Sequence, residues 1–222
     1  MSVILAIDTS AALCAAAVVR GGGEAGRQVI DIGKGHAEHL MGVIEAALEH
    51  AGVVYAHIDR IGVAVGPGSF TGIRVGVATA RGLALALKIP AVGVSNLQAV
   101  AAETASRHPG RTVMAAFASA RDAIQAAVYG PGGETMRAPA IFNVQSALRL
   151  ALDLNAVVAG SAGKLLGGVD PAVELDGEAA TADVFTYARL AEKLDPLEKP
   201  KPLYLREPDA KPQAGFIVPR AT

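Results

Sequence analysis

Tryptophan is absent, and five phenylalanines and four tyrosines supply all the large aromatic rings in 222 residues. The core must therefore be built by close approach of Ala, Val, Leu and Gly, and no broad aromatic platform for stacking nucleobases is expected. The single cysteine, Cys14, excludes an internal disulfide. With no secretory leader apparent, this points to a reducing cytoplasm as the expected location. Cys14 sits in an alternating apolar run and reads as a small core residue rather than a reactive thiol. Long apolar runs are also missing. The strongest, Val75 to Leu87, is interrupted by Arg81 and is shorter than the ~20 residues that cross a bilayer, so no membrane span is expected. Neither sign of charge dominates, with 20 Lys and Arg against 21 Asp and Glu. That balance lacks the basic footprint of an autonomous nucleic-acid binder, and any RNA is expected to be held mainly by a partner.

What is present is an alternation of strand-like and helix-like patterns. Ser2–Asp8, Ala12–Arg20 and Glu24–Ile32 read as three successive strands, the last two separated by a Gly21-Gly22-Gly23 turn. A helix is expected over 36–51, a doubly buried strand over 61–65, and a second helix over 73–87, stopped by Lys88 and Pro90. A strand at 91–94 and a helix at 96–106 lead to the His108-Pro109-Gly110 turn, the best candidate for a lobe boundary. Strands at 113–118, 124–129 and 156–159 and helices at 144–152 and 182–194 follow. This order predicts an α/β protein of the actin-like ATPase, ribonuclease-H-like class. Its parts would be an N-terminal lobe (1–107), a C-terminal α/β lobe (108–195) and an extended, Pro-rich basic tail (196–222) that is not a packed element.

Asp8-Thr9-Ser10 follows the first strand, where a kinase-like lobe places an acid for metal and hydroxyls for phosphate. The same triplet is also ordinary turn chemistry, because short oxygen-bearing side chains bond their own backbone. The tip Ala11-Ala12-Leu13 offers no glycine for gripping phosphate. The loop from Gly66 to Gly72 (GPGSFTG) leads into a helix N-terminus, as anion sites do, yet lacks the Gly-Lys-Ser/Thr ending of a Walker loop. Otherwise it is a tight turn with Gly68 or Gly72 at positive φ and Ser69 or Thr71 capping the helix. His36 and His39 lie one helical turn apart, but no third ligand stands near, and a solvated helix N-terminus is the plainer reading. No Gly-x-Ser-x-Gly sequence supports Ser10 or Ser69 as a nucleophile.

The two helices are more informative. Apolar residues cover most of the circumference of 73–87, whereas a surface helix has one apolar stripe. Gly76, Ala80 and Ala84 recur every fourth residue, a pattern that admits a close neighbour. In the first helix, Met41, Val43 and Ala46 lie off the Leu40-Ile44-Leu48 stripe. The expected interface with a second chain therefore comprises Met41, Val43, Ala46, Gly76, Ala80, Leu83, Ala84 and Leu87. The alternative is burial inside one two-lobed monomer.

Taken together, ILAIDTS (4–10), HAEHL (36–40), GPGSFTGIRVG (66–76), GVSNL (93–97) and PLYLR (202–206) resemble the TsaB family, also called YeaZ. Residues 115–195 match it only in outline. Where the family has Asp-Ala-Arg, this chain reads Ser119-Ala120-Arg121. TsaB is a paralogue of TsaD, the catalytic threonylcarbamoyltransferase subunit. TsaD-like proteins carry two metal-binding histidines, at positions that align with Asn96 and Val100 here, and valine has no donor atom. The resemblance thus implies a chain with no catalytic residue, metal or cofactor of its own, in which Asp8, Thr9 and Ser10 are vestigial. It implies pairing through the first two long helices, with a second copy or with TsaD, and an assembly joined by a TsaE-like ATPase. ATP and metal belong to those partners. The product would be threonylcarbamoyl on N6 of the adenosine beside the tRNA anticodon, with tRNA held through the complex. A peptidase like those once attributed to TsaD relatives and a small-molecule kinase of the actin superfamily are the alternatives.

Overall fold

The structure, a computed structural model, describes residues 2–119 and 122–205. Strands β1 (Val3–Asp8), β2 (Leu13–Arg20) and β3 (Gly23–Asp31) form an antiparallel meander, to which β4 (Arg60–Gly66) and β5 (Ala91–Ser95) add in parallel. The resulting order is β3-β2-β1-β4-β5. A second sheet repeats the theme. Its strands β6 (Val113–Ala118), β7 (Ala123–Tyr129) and β8 (Thr135–Asn143) meander, and β9 (Val157–Ala159) joins β6 in parallel, giving β8-β7-β6-β9. Three antiparallel strands followed by parallel additions is the ribonuclease-H-like order of the actin-like ATPase fold.

The period-2 alternation of each strand divides the core into layers. Leu5, Ile7, Cys14, Ala16 and Val18 point to one face of the first sheet, under α1 (His36–Ala51) and α2 (Phe70–Leu87). Ile4, Ala6, Ala15 and Ala17 point to the other, where α3 (Asn96–Arg107) and α6 (Val184–Lys193) separate the two sheets. The far face of the second sheet is covered by α4 (Val144–Asp153) and α5 (Gly163–Val169). Complete burial of a side chain such as Ile44 or Leu40 contributes on the order of 2 kcal/mol. Cys14 lies wholly inside this packing, and burial pushes its thiol up to about 11, which disfavours the reactive thiolate.

Two elements were not expected. β8 is an exposed edge strand containing Pro139, and proline lowers a strand reading. The glycine-rich α5 is short, and glycine lowers helix propensity. α6 belongs by sequence to the second lobe, but it packs on the first sheet. A Cβ at Gly62 of β4 would fall 2.6 Å from the Cβ of Ala191, so glycine permits that approach. Arg60 Nη1 donates to the carbonyls of Ala191 (2.7 Å) and Leu194 (2.9 Å) at the helix C-terminus, where a cation also meets the negative end of the helix dipole.

The segment 196–205 has no helix or strand and is laid on the first lobe. Pro200 is buried, and the Leu203 amide donates to the Val65 carbonyl at 2.8 Å. The remainder of the tail, 206–222, lies outside the described residues, as do Ala120 and Arg121. α2 has the length and composition of a membrane span. Its inner face, however, is packed on β1 and β4, and Arg74 and Arg81 project from its exposed side.

Candidate functional site

The carboxyl ends of β1, β4 and β5 bring three segments together: the Asp8–Ser10 turn, the loop entering α2, and the start of α3. Asp8, Thr9 and Ser10 are all buried. The Ser10 amide and hydroxyl donate to Asp8 Oδ1 at 2.8 and 2.5 Å. Thr9 Oγ1 donates to the Gly72 carbonyl at 2.7 Å, and the Ser10 carbonyl accepts from the Ser69 amide at 2.7 Å. Asn96 Nδ2 donates to Ser10 Oγ (2.6 Å) and to the Pro67 carbonyl (3.1 Å). The hydroxyls of Thr9 and Ser10 are thus engaged by the protein itself.

The loop closes on the turn because it is glycine-rich. A Cβ at Gly68 would overlap the Ser10 carbonyl oxygen, and one at Gly72 the Thr9 carbonyl oxygen. Neither glycine takes the positive φ expected of it; Gly66 does, at +99°. The helix cap is Ser69, whose Oγ accepts from the Gly72 amide at 3.2 Å. The glycines at 68 and 72 serve close backbone approach, leaving no space between loop and turn for an anion.

Burial holds the Asp8 carboxyl above its ordinary 3.8, against the opposing effect of the Ser10 bonds and of His36. A carboxyl raised in the folded state penalises folding once it must ionise, so its contribution to stability falls as pH rises above about 4. Asp8→Asn keeps an acceptor for the Ser10 amide and cannot ionise. In urea titrations the stability of the variant relative to the parent should therefore climb as pH rises above about 4. A difference that does not change with pH would show that Asp8 carries no such penalty.

His36 and His39 do not converge. His36 is buried and its Nε2 donates to the Leu13 carbonyl at 3.2 Å, whereas His39 is exposed. Among the described residues no three His, Cys, Asp or Glu side chains cluster with ligand spacing. Asn96 is fully buried in the loop contacts above, and Val100 lies in the core.

The expected helix interface needs correction. Val43, Gly76 and Ala80 are buried within this chain. A Cβ at Gly76 would lie 2.5 Å from Thr9 Oγ1, so the small residues admit the first sheet and its turn, not a second helix. Ala46, Leu83, Ala84 and Leu87 are half-buried, and Met41 is exposed. The outer face of α2 instead includes Thr71, Arg74, Ala78, Arg81, Gly82, Leu85 and Ala86. Only 28% of this apolar helix is buried. At its N-terminal end the sequence reading also missed an exposed aromatic pair. Phe70 and Tyr204 have ring centroids 5.5 Å apart, with the Arg74 guanidinium 4.0 Å from the Phe70 ring centre and its Nε donating to the Tyr204 hydroxyl at 3.0 Å.

Residues 31–171 match the family model described as TsaD, tRNA N6-adenosine threonylcarbamoyltransferase. An uncharacterised protein of Mycobacterium tuberculosis is 34% identical over 220 residues, covering 96% of each chain. This chain belongs to the TsaD family as a TsaB-like member. The tRNA threonylcarbamoyladenosine biosynthesis protein TsaB of Haemophilus influenzae is 33% identical over 115 residues, which are 51% of this chain and 48% of that one. YeaZ from Pseudomonas aeruginosa superposes on the TsaB-like chain with a TM-score of 0.72 and 28% identity, over 92% of this chain and all of that one.

Proposed function

We propose that this TsaB-like chain is a non-catalytic partner subunit in the formation of threonylcarbamoyladenosine in tRNA, pairing with a TsaD-like catalytic subunit through the outer face of α1 and α2. The observation that carries the pairing is the open face of α2. Ala78 and Gly82 are small enough for a second helix to approach closely, and Leu85 is 81% exposed beside them. A helix this apolar with so little of it buried is stabilised when a partner covers it. Support for a role without chemistry comes from Asn96 and Val100, which cannot reproduce a histidine pair, and from the Asp8 turn, whose hydroxyls are occupied by the chain itself. A kinase needs that turn open, and a peptidase needs a metal or an activated nucleophile; neither reading gains a supporting observation from the described residues.

In this proposal the chain alone pairs with itself through the same face. The TsaD-like subunit and a TsaE-like ATPase supply ATP and metal sites, and tRNA is bound through the complex. Ala78→Glu and Leu85→Glu should remain folded, because both side chains point outward. They should weaken capture of the purified TsaD-like subunit at least about tenfold, since each places an unpaired charge in the interface. Undiminished capture by both variants would remove this face from the account.

A further inference from the structure

A second feature adjoins the pairing face and shares Gly82 and Leu85 with it, where the C-terminal end of α2 meets the segment 196–200. They enclose an open groove of about 650 Å³. Its floor includes buried Ala91 and Pro200, and its walls carry Leu85 and Leu197, which are 81% and 86% exposed. Arg81, Lys88 and Lys199 stand on its rim. None of the three forms an ion pair among the described residues, and no carboxylate lines the groove; Asp195 and Glu198 line the neighbouring cleft instead. Three cations around exposed leucines, in a chain of net charge −1, is a local concentration of positive charge.

We infer that this groove is a docking site for an acidic, leucine-bearing peptide segment of a partner protein. Charge complementarity sets the sign of the occupant, and the aliphatic floor sets its side chains. Among the described residues no aromatic ring lines the groove to stack nucleobases. Leu197 and Lys199 lie off α1 and α2, so the groove can fail as a docking site while the pairing proposal stands.

The test uses the full chain and a short fluorescein-labelled peptide in which leucine and glutamate dominate, followed by fluorescence anisotropy. Binding should be detectable, weaken with added salt, and vanish when lysine replaces the glutamates. Leu197→Glu and Lys199→Glu, both at exposed positions, should each reduce affinity about tenfold with circular dichroism unchanged. Absence of binding, or binding that ignores both substitutions, overturns the inference. So do three results that assign the groove elsewhere: tight binding of the parent to anionic phospholipid vesicles that Leu197→Glu abolishes, loss of self-association in Leu197→Glu by sedimentation, or a tenfold gain in peptide affinity on deleting 206–222.

Discussion

Ala80→Glu should yield no soluble folded protein, whereas Ala78→Glu, on the opposite face of α2, should fold like the parent. Ala80 is fully buried, in the core layer between helix and sheet that also holds Ile7, Val63 and Ile73. Enlarging a well-packed position costs about 1–3 kcal/mol, and an uncompensated buried charge costs several more. Together these approach the entire stability of a typical domain, about 5–15 kcal/mol. Ala78 is exposed, and its carboxylate replacement would remain in water. Soluble yield, far-UV circular dichroism and urea midpoints report the contrast. An Ala80→Glu protein with the parent's urea midpoint would mean that α2 is rotated from the orientation described here.

A smaller but still large loss is expected from the smallest substitution possible, Gly72→Ala. Replacing a helical glycine with alanine ordinarily stabilises by about 1 kcal/mol. At position 72 the sign should reverse, because the new methyl would overlap the Thr9 carbonyl oxygen and also approach Ser69 Oγ to 3.3 Å. Thr9 cannot retreat, since its hydroxyl is bonded to the Gly72 carbonyl and the next residue is fixed by Asp8 and Asn96. The expected cost is about 3 kcal/mol, the upper end for overpacking. Gly82 in the same helix has nothing within 4 Å of its would-be Cβ. Gly82→Ala should accordingly stabilise by about 0.5–1 kcal/mol. Chemical denaturation of the two variants side by side separates them; a stabilised Gly72→Ala would show that loop and turn are not in contact.

The fold was legible because its strands and helices carry strong periodic patterns. The helix expected over 36–51 is α1, and the continuous apolar run at 61–65 is the interior of β4. β8 was not legible, being exposed along most of its length and interrupted by Pro139. The turn of Asp8, Thr9 and Ser10 was found in the sequence, as was Asn96 at the head of α3. The bonds from this turn to Gly72 and Asn96 were not, because they join positions tens of residues apart. Spacing misled at Gly76 and Ala80. A run of small residues says that something comes close, and only the fold shows that it is Thr9 and the sheet. Composition misled at the tail, where prolines and charges suggested a free arm, yet Pro200, Leu203 and Tyr204 dock on the first lobe. The groove beside Leu197 was invisible for the same reason.

Reconstitution with one component omitted tests the partner role most directly. Unmodified tRNA and threonylcarbamoyl-adenylate are incubated with ATP, the TsaD-like subunit, the TsaE-like ATPase and this chain, and modified adenosine is measured by mass spectrometry of the digested RNA. The complete mixture should form threonylcarbamoyladenosine, the mixture lacking this chain should fall to background, and this chain alone should form none. Turnover by the purified chain alone, or undiminished turnover in the mixture that lacks it, would contradict the account.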